Sequence, residues 1–283
     1  MVTTPLRERM RSILRSRNYS PRTEETYLNG VARFARHFGK SPDQLGAAEV
    51  VEYQIWLRES KCSASLVNQI VCALKFFYGQ VLGRTDEIKR ISYARRERRL
   101  PVVLSPEETA RFLAAIPPGL YRVLLSTIYA TGLRISEALA LRGTDIDSQR
   151  MVIRVREGKG KKDRYVPLSP RLLEMLREHW RRERLSDLLF PSRRDRSRPL
   201  DARMVQRRVS QAGRRIARHV TPHMLRHCYA THLIERGTSP RVVQVLLGHS
   251  NVRTTETYMH VSPQTMGRIV SPLDAIAPLL GRD

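Results

Sequence analysis

Apolar residues return every three or four positions along most of this chain, which is the spacing of helices with one buried face. Near the N-terminus one such stripe comprises Tyr27, Val31, Phe34 and Phe38 and ends at Gly39. A second stripe comprises Leu66, Ile70, Leu74 and Phe77 and ends before Gly79. A third apolar segment, VVEYQIWL, lies between them. This pattern predicts a small helical bundle over residues 1–83.

Most of the helical patterns follow a serine or threonine and then a proline. These pairs begin at positions 20, 41, 105, 169, 221, 239, 262 and 271. The hydroxyl can accept a free backbone N–H at the helix start, and proline fits the first turn because no donor is needed there. In the second part we predict helices at 106–115, 120–130, 135–141, 170–184, 202–217, 222–236 and 240–247, with a short one at 253–260.

The helical period is interrupted once, in the segment MVIRVREGKGKKDRYVPL at residues 151–168. Ile153 and Val155 alternate with arginines, Gly158 and Gly160 mark a turn, and an extended pattern then resumes, so we predict a β-hairpin. The predicted fold class is therefore mainly α, with a small β-hairpin or sheet in the second domain. We place the domains at residues 1–83 and 105–283, because 283 residues exceed the usual length of one domain.

The charge balance indicates a polyanionic partner. Lys and Arg number 51 against 27 Asp and Glu, which gives a formal net charge of +24. Self-repulsion of that size favours a nucleic-acid partner. Residues 84–104 carry a charge run without an apolar face and are predicted to be a basic interdomain linker, either simply solvated or lying along a phosphate backbone. Three unpaired cysteines and the lack of a signal or membrane-span pattern predict a cytoplasmic protein.

The lysines are the first candidates for chemistry, because only seven of the 51 cationic residues are lysines. Lys159, Lys161 and Lys162 share the predicted hairpin turn. Lysine can act as an acid, whereas arginine keeps its proton in proteins. The turn is thus either a source of protons or a solvated turn that touches phosphate.

Two helical motifs supply further candidates. In TPHMLR, His223 and Arg226 lie one turn apart near a helix N-terminus, which attracts phosphate. His223 and His227 also have the spacing of a zinc pair, but Met224 stands in place of the glutamate of HExxH and no acid occurs from 202 to 234. We therefore predict no metal and no other cofactor.

The remaining candidates lie near helix ends. Arg134 opens a helix and can bind two phosphate oxygens, with Glu137 orienting it, or the two form an ordinary surface pair. His249 follows a helix that ends at Gly248, and Tyr258 lies in a short polar segment where a tyrosine commonly serves packing. Together these groups provide a nucleophile, phosphate clamps and proton donors, which are the requirements of phosphoryl transfer without metal.

The motifs ATGLRISEALAL, GKGKKDRYVPL, TPHMLRHCYATHL, LLGHS and TTETYMHV, in this order, resemble those of the tyrosine recombinase (phage integrase) family, in the style of Xer recombinases. The resemblance covers nearly the whole chain and implies a helical core-binding, SAM-like domain followed by an α+β catalytic domain. It implies a site-specific recombinase that forms a 3′-phosphotyrosyl link and acts as a tetramer on double-stranded DNA sites. The alternatives are a topoisomerase-like DNA-relaxing enzyme and a non-catalytic DNA-binding regulator.

Carried to this sequence, the resemblance implies a role for each candidate. Tyr258 is the nucleophile, His223 its general base, and Lys159 the general acid, with Lys161 as the alternate. The phosphate is bound by Arg134, Arg226 and His249. Residues 259–283 form a tail that docks on a neighbouring protomer in the family, although packing on its own domain would also bury the apolar residues.

Overall fold

The structure is a computed structural model that describes residues 4–85, 89, 91–95, 103–156, 163–248, 271–276 and 278. The chain divides into two compact units, residues 1–99 and 100–283, each with its own buried apolar cluster. The predicted class, mainly α with a small antiparallel sheet in the second unit, is confirmed. Within the described ranges, every helix is too short or too polar to cross a membrane.

The first unit is a helical bundle. Its helices are α1 (Pro5–Ser16), α2 (Pro21–Phe38), α3 (Ala47–Glu59) and α4 (Ala64–Phe76), with a 3-10 turn at Pro42–Gln44 and a π-helix at Phe77–Val81. Helices α2 and α4 approach closely at Gly30, where a Cβ would lie 3.1 Å from the Ala73 methyl carbon. Phe34 and Leu74 of the predicted stripes are fully buried in this core.

Two features of this unit differ from the sequence prediction. Helix α1 was not predicted, because five charged residues obscure the spacing of its apolar positions, although Thr4 caps it and Met10 and Leu14 are buried. The second stripe does not end before Gly79. Helix α4 ends at Phe76 and the π-helix continues through Gly79, since burial of Val81 at the core extends the helical path.

Part of the predicted linker is anchored on the first unit. The Asn68 side-chain amide donates to the carbonyl oxygen of Ala94 at 2.9 Å and accepts from its backbone N–H at 2.7 Å. The Gln54 amide donates to the Ser92 carbonyl oxygen at 2.8 Å. Ile91 is buried as well. Residues 91–95 are therefore an extension of the chain that packs against the helical bundle of the first unit, and they are not simply solvated.

The second unit contains most of the helices and the sheet. Its helices are α5 (Pro106–Ala114), α6 (Leu120–Thr131), α7 (Ile135–Leu139), α8 (Pro170–Glu183), α9 (Ala202–Arg215), α10 (Pro222–Glu235), α11 (Pro240–Leu247) and α12 (Pro272–Ile276), with a 3-10 turn at Gly143–Asp145. Helix α6 is central, because its residues from Val123 to Thr131 are all buried. Helices α7 and α9 end two residues earlier than predicted.

Hydroxyl caps fix where these helices begin. The side chains of Ser20, Ser105, Ser169, Thr221 and Ser239 each accept a backbone N–H of the first helical turn, as predicted. Ser105 and Glu108 form a capping box, with reciprocal hydrogen bonds of 3.1 and 3.0 Å. Ser41 is an exception, since it precedes only the 3-10 turn and its hydroxyl contacts the carboxylate of Asp43.

The predicted hairpin is confirmed by strands β2 (Val152–Val155) and β3 (Arg164–Pro167), which pair antiparallel. Val152 lies opposite Pro167, and Val155 lies opposite Arg164. A short strand that the sequence did not predict, β1 (Ile146–Asp147), adds to the other edge of β2. Residues 157–162, where the sequence predicts the turn, lie outside the described residues.

The described part of the C-terminal tail packs on its own unit. Leu273 and Ile276 belong to the second unit's core and are 0% and 1% exposed. The Ser271 hydroxyl donates to the Ala130 carbonyl oxygen at 3.3 Å. The sequence left two possibilities for the tail, packing on its own domain or docking on a neighbouring protomer. Residues 271–276 pack on their own unit, because their apolar side chains complete the core around α6.

Candidate active site

The candidate site lies where α7, β3, α10 and the C-terminal end of α11 meet. The turn at Gly132 ends α6 in a left-handed conformation (φ +66°) and leads into Arg134, the N-cap residue of α7. A side chain at position 132 would collide with the Tyr229 ring, since a Cβ would lie 2.4 Å from its Cδ1. Glycine therefore lets α6 and α10 pack closely and sets where Arg134 enters the site.

Arg226 lies inside the protein on the buried face of α10 and is 2% exposed. Its Nη1 donates to the Gly132 carbonyl oxygen at 2.7 Å, and its Nη2 donates to the Leu247 carbonyl oxygen at 2.6 Å. Burial, with repulsion from Arg134, lowers the pKa of Arg226 to about 10. The guanidinium thus stays charged at neutral pH and is held in a fixed orientation.

Glu137 lies between the arginines of the site. One carboxylate oxygen accepts from Arg134 Nη1 at 2.7 Å and from Arg164 Nη1 at 3.0 Å. The other accepts from the Arg134 backbone N–H and from Arg164 Nη2, both at 2.8 Å, and lies 4.0 Å from Arg226 Nη1. Because the Glu137 side chain is only 8% exposed, the predicted alternative of an ordinary surface pair does not apply.

The arginines dominate the electrostatics of this cluster. Burial acts to raise the pKa of Glu137, but hydrogen bonds from Arg164 and from the Arg134 backbone, with the attraction of both guanidinium groups, lower it to about 2. Glu137 is therefore ionised throughout the physiological range. Three guanidinium groups against one carboxylate leave a surplus of positive charge in a partly buried site, which attracts an anion such as a phosphate.

The same three arginines bind the last carbonyl groups of α11 in sequence order. Arg164 Nε donates to Leu246 at 3.0 Å, Arg226 to Leu247 at 2.6 Å, and Arg134 Nη2 to Gly248 at 3.3 Å. Carbonyls at a helix C-terminus have no partners within the helix, and cations are favoured there. The end of α11 and the arginine cluster thus fix each other's positions.

His223 is exposed one turn before Arg226 on α10. Burial of part of its ring, followed by repulsion from His227, Arg226 and Arg134, lowers the pKa of His223 below its ordinary value. The rings of His223 and His227 are 4.5 Å apart at an angle of 75°. A histidine with a lowered pKa is neutral at pH 7 and can accept a proton.

The structure brings together Arg134, Glu137, His223 and Arg226 of the predicted set. Lys159, its alternate Lys161, His249 and Tyr258 lie outside the described residues. Across the described ranges, no group of three or more His, Cys, Asp or Glu residues has the arrangement of a metal site.

Arg164 is the member that the sequence reasoning missed. Its signal is the alternation along β3, where Arg164 and the buried Val166 share the face opposite to the exposed Tyr165. An arginine on the inner face of a strand needs a buried anion or carbonyl partner. This signal is weak in the present chain, because arginines are frequent along its whole length.

Family models match almost the whole chain. The phage integrase family model matches residues 103–265, and the model of the phage integrase N-terminal SAM-like domain matches residues 6–88. A putative integrase/recombinase of Sinorhizobium fredii is 42% identical over 98% of this chain and 91% of its own length. The tyrosine recombinase XerA of Thermococcus kodakarensis is 35% identical over 93% of each chain.

Solved structures share the fold. A λ integrase dimer bound to a core site aligns with a TM-score of 0.72 at 20% identity, over 91% of this chain and 98% of that one. The Tn1549 transposon integrase in complex with circular intermediate DNA aligns with a TM-score of 0.69 at 18% identity, over 92% and 97% of the two chains. At these identities the likeness concerns the fold alone.

Proposed function

We propose that this chain, which belongs to the phage integrase family of tyrosine recombinases, cuts a DNA strand with Tyr258 and rejoins it to another strand. The chain is a tyrosine-type site-specific recombinase, and DNA is its substrate. The proposal concerns which residues perform the chemistry. The observation that carries it is the convergence of Arg134 and Arg226 on one carboxylate and on one helix end.

In this mechanism Arg134 and Arg226 bind the non-bridging oxygens of the scissile phosphate. Both guanidinium groups are already oriented by protein oxygens, so little reorganisation is needed when the phosphate becomes more negative in the transition state. Glu137 orients Arg134 and moderates the repulsion among the arginines. His249, next in sequence after Gly248, adds a further hydrogen-bond donor.

The chemical step is a displacement at phosphorus. The Tyr258 oxygen forms a bond to phosphorus, the bond from phosphorus to the 5′-oxygen breaks, and a 3′-phosphotyrosyl link and a 5′-hydroxyl result. His223 takes the tyrosine proton, which its lowered pKa supports because a neutral imidazole is present at pH 7. Lys159 on the hairpin, with Lys161 as the alternate, gives a proton to the leaving 5′-oxygen.

The reverse step requires no outside energy source. The phosphotyrosyl link retains the energy of the broken phosphodiester, and attack by the 5′-hydroxyl of a second strand restores a phosphodiester and frees the tyrosine. A mechanism of this kind uses two arginines where other phosphoryl-transfer enzymes use Mg²⁺. We therefore propose that neither ATP, a metal nor another cofactor takes part.

The assembly is also a proposal. Strand exchange between two sites requires two cuts on each duplex, which a homotetramer, or a tetramer with a related recombinase, would supply. λ integrase is known as a tetramer bound to a Holliday junction, and this chain shares its fold with a TM-score of 0.70. A DNA substrate also supports a cytoplasmic location.

A covalent-trapping assay tests the proposal. Duplexes bound by the protein are selected from a random pool, and the recovered site is prepared with a nick close to the cut, so that the short leaving fragment diffuses away. In EDTA, wild type should form a protein–DNA adduct and Tyr258→Phe should form none. Tyr165→Phe is the matched control, because Tyr165 is a 46% exposed tyrosine of the same unit. An adduct with Tyr258→Phe, or strict dependence on added metal, would refute the mechanism.

A further inference from the structure

We propose that Arg164 is a positioning residue for DNA cleavage, which holds the Glu137 carboxylate and the end of α11 and thereby orients Arg134 and Arg226. The inference rests on the proposed function of those two arginines as phosphate clamps. Arg164 would contribute to cleavage by positioning the two clamps and would not contact the phosphate itself.

The contacts of Arg164 separate it from the clamps. Each of its three nitrogens donates to a protein oxygen, at 3.0 Å from Nε to Leu246, and at 3.0 and 2.8 Å from Nη1 and Nη2 to the two oxygens of Glu137. The side chain is 12% exposed, compared with 29% for Arg134 and 3% for Arg226. Exposure therefore separates Arg164 from Arg134, and its two-fold guanidinium contact with Glu137 separates it from Arg226, whose Nη atoms donate to carbonyl oxygens. Arg164 is therefore engaged by the protein and acts on the reaction through its partners.

Those partners are shared with the clamps. Glu137 binds Arg134 directly and lies 4.0 Å from Arg226, while the carbonyls that follow Leu246 accept from Arg226 and Arg134. The two-fold contact between Arg164 and Glu137 has the fork geometry that fixes a carboxylate in one plane. Without it the carboxylate is free to rotate toward Arg134 and Arg226 and to compete with a bound phosphate for them.

The packing around Gly248 supports the same assignment. A Cβ at position 248 would lie 3.2 Å from Cδ, Nε and Cζ of Arg164, so the Arg164 side chain approaches the glycine closely. Gly248 has φ +61° and ends α11. The close approach places Arg164 next to Gly248, the residue that precedes His249 in the sequence.

Arg164→Met and Arg164→Lys are compared with Arg154→Met as a matched control. Arg154 lies on the neighbouring strand β2, where it binds Asp163 at the surface and is 49% exposed. Three quantities are measured for each protein: the DNA dissociation constant by gel shift, the single-turnover rate of adduct formation at saturating DNA, and the helical content by circular dichroism.

For Arg164→Met we expect about wild-type DNA affinity, within roughly threefold, and a cleavage rate lower by about 10- to 100-fold, since misplacement of a clamp by about 1 Å has effects of that size. Lysine preserves the charge but lacks the fork, so Arg164→Lys should recover at most part of the rate. Arg154→Met should cleave like wild type. A full cleavage rate with folded Arg164→Met would overturn the inference.

A double-mutant cycle covers the case in which Arg164→Met folds poorly. If Arg164 acts mainly through Glu137, then adding Arg164→Lys to Glu137→Gln should slow cleavage by a much smaller factor than adding it to wild type, with the contact to Leu246 accounting for the remainder. The inference would be overturned if the cleavage rate of the double variant were lowered by the product of the two single-variant factors. The inference would also be overturned if Arg164→Lys lost DNA affinity and cleavage rate by the same factor, because that result would indicate general misfolding.

The pH profile gives a readout that a purely structural role would not move. Glu137 faces Arg134 from its own helix, Arg164 from β3 and Arg226 from α10, and α11 presents the carbonyl groups of Leu246 and Leu247 to Arg164 and Arg226. Removal of one of these cations raises the pKa of Glu137 toward its ordinary value, so the free energy of unfolding should fall less steeply with decreasing pH below about pH 5 in Arg164→Met than in wild type. Stability is the quantity to follow, because the acid limb of the cleavage rate is set by the general base His223. If wild type forms no adduct, the proposed function is refuted, and this inference with it. If wild type is active and Arg164→Met forms the adduct at the wild-type rate, only the inference is refuted.

Discussion

Replacement of Glu137 by glutamine removes the one carboxylate that the three site arginines share. Glutamine has nearly the same shape, so the change tests charge rather than packing. Three guanidinium groups would then lie close together without an anion, which is an unfavourable arrangement in a partly buried site. We expect Glu137→Gln to lower the free energy of unfolding of the second unit.

The magnitude follows from the pKa of the carboxylate. The folded protein lowers it from 4.5 to about 2, and such a difference corresponds to about 3 kcal/mol of stability at neutral pH. Because the folded pKa is lowered, this contribution is complete above the ordinary pKa and is lost as the pH falls toward the folded one. The difference between wild type and variant should therefore shrink by about 2 kcal/mol between about pH 7 and about pH 3.

The assay is urea unfolding followed by the fluorescence of Trp180, which lies in the second unit. The only other tryptophan is Trp56 in the first unit, so both proteins carry Trp56→Phe. Glu178→Gln is the control, since Glu178 is an exposed carboxylate on α8. A Glu137→Gln stability within about 0.5 kcal/mol of wild type, as is usual for surface changes, or a difference that does not vary with pH, would refute the electrostatic reasoning.

Three further predictions use the same unfolding assay. Tyr229→Phe should raise stability by about 1 kcal/mol, because the buried Tyr229 hydroxyl finds no hydrogen-bond partner among the described residues; a loss would indicate a partner elsewhere in the chain. Gly132→Ala should lower stability by about 3 kcal/mol or more, since φ is +66° and a Cβ would lie 2.4 Å from the Tyr229 ring; an effect below about 1 kcal/mol would contradict that packing. Leu273→Ala should cost about 2–5 kcal/mol independently of protein concentration, as the side chain is fully buried within its own unit; a loss that appears only at high concentration would place the tail on a neighbour.

Much of the fold could be predicted because the apolar spacing and the hydroxyl–proline caps are local signals. They located most helices of the second unit within two residues, and alternation located the hairpin. Helix α1 could not be predicted, because its charged residues outnumber its apolar ones. Gly79 wrongly indicated a helix end, because a glycine ends a helix only where the apolar face also ends. In the π-helix that face continues to Val81.

Some residues of the candidate site could likewise be predicted from local motifs, and others could not. Arg134, Glu137, His223 and Arg226 could be found because each pair lies one helical turn apart in a recognisable motif. For Arg164 the alternation along β3 indicates an inward-facing side chain but not its partners, since Glu137 and Leu246 are distant in the sequence and are brought to it by packing of β3 against α7 and α11. The sequence also could not reveal that the three arginines bind successive carbonyls of one helix end.

The identity of the residue that carries the DNA tests the central claim most directly. The adduct trapped on the selected site is digested with trypsin and nuclease, and the peptide that retains a nucleotide is sequenced by mass spectrometry. The account predicts a 3′-linked nucleotide on Tyr258, in the peptide TTETYMHVSPQTMGR, which contains a single tyrosine. A nucleotide on any other residue, or one attached through a 5′-phosphate, would contradict it.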